Sequence, residues 1–309
     1  MLINLLEELA WHEFVKLPAM QGKTLNEQVA YYKQYLSDLD QARHNLINYQ
    51  NKGRTLQPAT PSGSPSSCTA GMDVVFLIDY TSSMNNEIDD LKLDIANIVN
   101  TIIAESGGDY RLGLVLFDEW PRLTAPSYAT KPAYTAVPPP QRYVNENPSA
   151  TAISPTGVTQ YITAMEVMST QNSSSFTTKL NLLNTTNFPM GAGVGGPEPG
   201  GVGFEQILNG IAGSFRQNVA KLVILITDNQ PGGDDDVYDP AVDIPYLQTV
   251  AAQGLQENVQ VLVLSQINVA AGTNYRVLTE GTNGLFTYSS TFNPANIITL
   301  IEDLCDANA

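Results

Sequence analysis

Positive charge is the first thing this sequence lacks. Fifteen lysines and arginines stand against 31 aspartates and glutamates, giving a net charge of −16 and a pI near 4.3. Such a surface repels phosphate backbones and anionic headgroups, which excludes nucleic acid and the membrane surface as default partners. Histidine is almost missing as well: His12 and His44 both fall in an N-terminal helical stretch, far from any motif. There is no zinc-ligand spacing, no nucleotide-binding fingerprint and no Ser–His–Asp arrangement. With no nucleophile–base or acid–base pair in view, the chain is not expected to be an enzyme. No apolar run approaches the roughly 20 residues of a membrane-spanning helix. The opening MLINLLEELAWHEF has no basic n-region and carries acids within its apolar stretch, so it does not read as a secretory signal.

Cysteine is scarce too. The two present, Cys68 and Cys305, stand just before the first expected strand and in the last expected helix. If the ends of the domain meet in space, they can form a disulfide across it. Two free thiols are the alternative for a chain kept in a reducing cytosol.

What is present is a large apolar fraction, 43% of 309 residues, enough for one large domain and an extra piece. Residues 1–52 carry helical patterns, including the capping box Thr24-Leu25-Asn26-Glu27. Two such helices bury too little to stand alone, so they are expected to pack against other subunits of an assembly. Residues 53–70 are rich in Pro, Ser, Thr and Gly, the composition of a linker. Residues 71–305 then alternate strands and helices, and 306–309 form a tail. The reading is a doubly wound, mostly parallel α/β sheet of Rossmann-like type with a small N-terminal helical segment.

The domain is organised around a turn. The apolar run Val74–Ile78 ends at Asp79-Tyr80-Thr81-Ser82-Ser83. A helical stripe follows, with Ile88, Leu91, Ile95, Ile98 and Ile102 at spacings of 3 and 4. Ligands of open α/β sheets bind beyond the carboxyl ends of strands. There the turn offers one carboxylate and two hydroxyls, hard oxygens suited to Mg²⁺ or Ca²⁺. The plain alternative is a capped helix and a tidied loop. Further on come a glycine-rich loop, 191–203, holding Glu198 between two prolines, and the run Leu222–Thr227 ending in Asp228. Residues 119–190 read as a long loop insertion, with helices possible over 160–168 and 174–183.

Asp79-x-Thr81-x-Ser83 after an apolar strand, the Gly-Pro-Glu-Pro-Gly-Gly loop and Thr227-Asp228 together resemble the von Willebrand factor A domain family. The resemblance covers residues 72–305. It implies a metal-ion-dependent adhesion site, with Asp79, Thr81, Ser83 and Asp228 as ligands of Mg²⁺, Ca²⁺ or Mn²⁺. Thr81 replaces the usual Ser and keeps the hydroxyl. The stretch 176–206 is similar to integrin β-subunit I-like domains, whose Pro-Glu-Gly-Gly-Phe loop brings a Glu to the ion; here that Glu is Glu198. A second integrin metal has no Asn or Asp to hold it, since Gly193 and Gly195 fall there. An adjacent metal would fall on Asn86 and Glu87. The insertion lies where integrin β domains carry a specificity loop, so Trp120, Tyr128, Tyr134 and Tyr143 are candidates for choosing the partner; packing of the loop on its own domain is the alternative.

The expected function is a metal-dependent adhesion module capturing a carboxylate of a protein ligand. The layout of helical base, linker and binding domain is similar to modular phage virion proteins, which suggests display on a virion. Alternatives are a structural virion protein whose ion only stabilises it, or an intracellular protein serving an ATPase or metal-insertion complex.

Overall fold

The apolar run after the linker becomes the central strand of a seven-stranded sheet. The structure is a computed structural model; it describes Lys23 and residues 67–121, 137–145, 158–186, 188–190, 197–232 and 237–308. The chain divides into two units, Met1–Thr60 and Pro61–Ala309. Apart from Lys23, the expected helical anchor and the linker up to residue 66 lie outside the described residues. No described helix is long and apolar enough to cross a membrane.

In chain order the elements are β1 (Met72–Asp79), α1 (Asn85–Glu105), β2 (Tyr110–Pro121), β3 (Arg142–Asn145), β4 (Val158–Thr170), α2 (Ser173–Leu182), α3 (Gly200–Leu208), β5 (Ala220–Thr227), α4 (Pro240–Gln256), β6 (Val259–Ser265), α5 (Arg276–Gly281), β7 (Leu285–Tyr288) and α6 (Ala295–Ala307). The sheet order is β3-β4-β2-β1-β5-β6-β7. β1 pairs in parallel with both β2 and β5, and β5, β6 and β7 continue in parallel. Only β4 runs against its neighbours β2 and β3.

β1 is buried at every position, which explains its unbroken apolar run: both faces of the sheet are covered. Alternate side chains serve opposite cores. Val74, Phe76 and Ile78 join α1, α2 and α6 on one face, where α1 turns the stripe from Ile88 to Ile102 inward. Val75 and Leu77 join α3, α4 and α5 on the other.

Two stretches differ from expectation. Residues 158–170 form the strand β4, where apolar spacing suggested a helix over 160–168. Ile162, Ala164 and Met168 serve one core and Met165 the other, across register shifts between Leu112 and Val115. The irregularity breaks strict alternation and imitates helical spacing, while β-branched Val158, Thr159, Ile162 and Thr163 favour the strand. The glycine-rich segment, in turn, is helical from Gly200. A Cβ on Gly201 would stand 2.8 Å from Leu247 Cδ2, and one on Gly203 2.7 Å from Leu77 Cδ1. These glycines let α3 lie close against α4 and the sheet.

The end of the sheet where β1 begins is tied down. Cys68 and Cys305 are joined by a disulfide across 237 residues of chain, with Cα atoms 5.4 Å apart. Asp73, fully buried, accepts hydrogen bonds from Arg111 Nε at 2.9 Å, Arg216 Nε at 2.8 Å and the Arg216 N–H at 2.7 Å. Burial pushes the Asp73 carboxyl up, but Arg111 and Arg216 outweigh it and hold the group below the usual carboxylate range.

Candidate metal centre

The opposite end of the sheet holds the oxygens. β1 has β2 on one side and β5 on the other, so the chain leaves it in one direction and returns in the other. A crevice opens at such a switch point. Asp79 lies there, fully buried at the last position of β1. Its Oδ1 accepts from the Thr81 N–H at 3.0 Å and from Thr81 Oγ1 at 2.7 Å. Its Oδ2 accepts from Thr227 Oγ1 at 2.8 Å. Thr81 Oγ1 stands 3.2 Å from Ser83 Oγ, and Ser83 is exposed. Asp79 thus orients the buried Thr81 hydroxyl, which in turn meets the outward-facing one of Ser83.

The second loop follows β5. Asp228 is half-buried and hydrogen-bonded by Ser83; burial and the nearby Glu87 carboxylate push its pKa up. The third loop brings Glu198, which is 3% exposed. Its N–H donates to the Gln230 carbonyl at 2.7 Å, and its own carbonyl accepts from the Gly232 N–H at 3.0 Å. Glu198 and Pro231 form an isolated parallel bridge, so the Glu198 loop is stitched to the loop of Asp228.

These carboxylates feel one another. Burial, then Asp228, pushes Asp79 up to about 7, against the hydrogen bonds from Thr81 and Thr227. Burial pushes Glu198 well above its ordinary value, and Asp79, Glu119, Asp118 and Asp228 add to it. Glu198 Oε2 and Asp228 Oδ1 are buried without a hydrogen-bond partner among the described residues. A buried acceptor left unmade is costly, and a cation would satisfy both.

Among the described residues no three His, Cys, Asp or Glu side chains are grouped as a metal cage. Any ion held here would therefore lean on the Thr81 and Ser83 hydroxyls, with carboxylates reaching it partly through water. Mg²⁺ tolerates that mixture, since it retains several waters.

Asp79, Thr81, Ser83, Glu198 and Asp228 therefore meet at one end of the sheet. The two adjacent-site candidates part company. Asn86 is exposed. Glu87 is half-buried at the rim, where its Oε1 accepts from Gln266 Nε2 at 2.6 Å and its Oε2 is buried without a partner. Sequence reasoning missed Asp118 and Glu119, buried at the carboxyl end of β2. The rule that picked Asp79 and Asp228, an acid where a buried strand ends, would have found them. Of the candidate specificity aromatics, Tyr143 packs partly buried against the core of α3, α4 and α5. Tyr128, Tyr134 and the side chain of Trp120 lie outside the described residues. The insertion leaves from Pro121 and returns at Val158, which pair with each other beyond the Asp79–Phe117 register and so at the metal-centre end.

A β-sheet parallel but for β4, with hydroxyls and acids gathered where β1 and β5 end, decides the architecture. It is the doubly wound, mostly parallel α/β architecture expected from the sequence. No family model matches this sequence, and no curated protein matches it. Among solved structures, the SpRpn10 VWA domain aligns at 13% identity and a TM-score of 0.43, over 75% of this chain and 94% of that one. Proximal thread matrix protein 1 from the mussel byssus aligns at 13% and 0.43, over 79% of this chain and 48% of that one. The same byssus protein with a zinc-occupied MIDAS motif aligns at 13% and 0.43, over 78% and 46%. The chain thus spans under half the length of the byssus protein. Likenesses this faint say nothing of what the domain binds.

Proposed function

We propose that the domain is a divalent-cation-dependent protein-binding module, with Asp79, Thr81, Ser83, Asp228 and Glu198 around the ion. The observation that carries this is the pair of buried carboxylate oxygens on Glu198 and Asp228 without a hydrogen-bond partner among the described residues, at the end of the sheet where Asp79 orients the Thr81 hydroxyl. Mg²⁺ fits first, with Ca²⁺ or Mn²⁺ as substitutes. When bound, the ion supplies a Lewis-acidic position open to a carboxylate of the partner.

The surrounding acids sharpen the dependence. Asp118 and Glu119, buried near Glu198, and Glu87 at the rim add to the acidic surroundings, so an acidic ligand group is repelled until the cation is in place. The same charge excludes polyanions. Attachment to other subunits is assigned to residues 1–52, and partner choice is assigned to the insertion that leaves at Pro121 and returns at Val158. A disulfide supports an exterior, oxidising location, which favours display on a particle such as a phage virion over intracellular service. Catalysis is not part of the proposal.

Titration calorimetry with Mg²⁺ and Mn²⁺ tests the reading. The full chain takes up the cation, and Asp79→Ala abolishes uptake while circular dichroism and the unfolding transition persist. A full chain that binds neither cation, or an Asp79→Ala variant that binds as tightly as the parent, overturns it.

A further inference from the structure

Helix α3 begins two residues after Glu198, and one buried hydroxyl spans that junction. Tyr275 lies in the connection between β6 and α5 and is 1% exposed. Its OH donates to the Glu198 carbonyl at 2.6 Å and accepts from the Gly200 N–H at 3.0 Å. Room for it depends on Gly200, where a Cβ would stand 2.6 Å from the Tyr275 oxygen. The Glu198 carbonyl also accepts from the Gly232 N–H at 3.0 Å and from the Gly200 N–H at 2.9 Å, so the Gly200 N–H is shared between that carbonyl and the tyrosine hydroxyl.

We infer that Tyr275 is a positioning residue for the cation site: it fixes the peptide frame of Glu198, and so aims a carboxylate it never touches. The inference rests on the cation-binding reading above. Three features support it. The phenol is fully buried, so no water replaces it when it is removed. Both of its hydrogen bonds go to the backbone of residues 198–200, on either side of Pro199, so they fix where the loop stops and α3 starts. Moreover, Tyr275 belongs to a different connection from the other loops of the site, which links the aim of Glu198 to the seating of α5. Glycine at 200 and tyrosine at 275 thus form one device, because the small residue makes room for the large one.

Positioning differs from general packing in what it changes. Mg²⁺ demands near-ideal octahedral geometry, whereas Ca²⁺ accepts irregular shells with more ligands. A carboxylate that wanders therefore costs Mg²⁺ more than Ca²⁺. Tyr275→Phe keeps the ring in the core and removes only the two hydrogen bonds.

The test has two readouts. In the cation-free chain, hydrogen exchange at the Gly200 amide, left with only its bond to the Glu198 carbonyl, rises severalfold in Tyr275→Phe, while β1 and β5 amides are unchanged. In calorimetry, Tyr275→Phe weakens Mg²⁺ by about tenfold, the loss of one good interaction, and Ca²⁺ by less than threefold. Within a Glu198→Gln background, Tyr275→Phe adds less than twofold for either ion, since its effect passes through the Glu198 carboxylate. Equal weakening of both ions, an undiminished effect in the Glu198→Gln background, or unchanged Gly200 exchange overturns the inference while leaving the cation site standing. A parent chain that binds no cation overturns both, and the exchange result then reports only a structural hydrogen bond.

Discussion

Breaking the Cys68–Cys305 disulfide removes a constraint whose size follows from the chain it closes. The bridge spans 237 residues, and loop-closure entropy for that length corresponds to about 5 kcal/mol at 25 °C. Measured losses for native bridges fall in a range of about 2–5 kcal/mol. Cys68 and Cys305 are both buried, and α6 is held independently by Ile297, Leu300, Ile301 and Leu304 in the core it shares with α1. The folded form therefore survives the change, and the effect falls mainly on the unfolded chain. A Cys68→Ser/Cys305→Ser variant should lose about 3–5 kcal/mol. At this domain size each kcal/mol shifts the midpoint by about 2–4 °C, so Tm falls by roughly 10 °C. The assay is calorimetric unfolding of parent and variant, with the parent repeated in reductant to reproduce the variant. Cation affinity should not move, because β1 separates bridge and site by its eight residues, about 26 Å at 3.3 Å each. A loss below about 1 kcal/mol, under what the chain-entropy estimate allows, or a parent indifferent to reductant, would refute the reasoning.

Asp73→Asn leaves Arg111 and Arg216 without their shared carboxylate and should cost about 3 kcal/mol at neutral pH. The folded pKa of Asp73 lies below its unfolded value, so its contribution is present above the ordinary carboxylate range and is lost as pH falls through the depressed value. Urea unfolding should accordingly show parent and variant converging below about pH 4, near the unfolded carboxylate value; a gap constant down to pH 2 defeats the assignment. Gly203→Ala sets helix propensity against space. Propensity alone would stabilise α3 by about 1 kcal/mol. The added Cβ, 2.7 Å from Leu77 Cδ1 in a filled core, should instead destabilise the domain by about 1–2 kcal/mol. The sign of the change in denaturant midpoint separates the two.

Much of the fold is written in the sequence because the sheet is covered on both faces. β1, β5 and β6 each present an unbroken apolar run ending at a polar residue, and α1 carries its stripe without interruption. β4 is harder to read. It is antiparallel and irregular, and its apolar positions fit two periods at once. The glycine-rich stretch misleads for another reason. Glycine signals freedom in a sequence, but Gly200, Gly201 and Gly203 are there for closeness, and closeness depends on Tyr275, Leu247 and Leu77, all distant in the chain. The metal-centre acids divide the same way. Asp79 and Asp228 are legible at the ends of apolar runs. Asp118 and Glu119 end a run too, but no motif surrounds them to draw notice. Tyr275 leaves no local mark, since a single aromatic before a short helix has its role only once the Glu198 loop is folded against it.

The two ends of the sheet divide the work of the molecule. Where β1 starts, every strong interaction is satisfied: a disulfide, and a buried acid with two arginines around it. Where β1 stops, acids crowd, and buried oxygens of Glu198 and Asp228 lack hydrogen-bond partners among the described residues. A fold that gathered such charges without support would move them apart. Here Asp79 is fixed by three hydrogen bonds, and Glu198 by backbone bonds to the Asp228 loop and by Tyr275. The backbone and hydroxyl bonds thus hold repelling carboxylates in place before any ion arrives. A cation bound as proposed would meet a preformed site, and the free energy otherwise needed to order the loops would remain available for binding. An acid cluster that only tuned solubility would need none of this scaffolding.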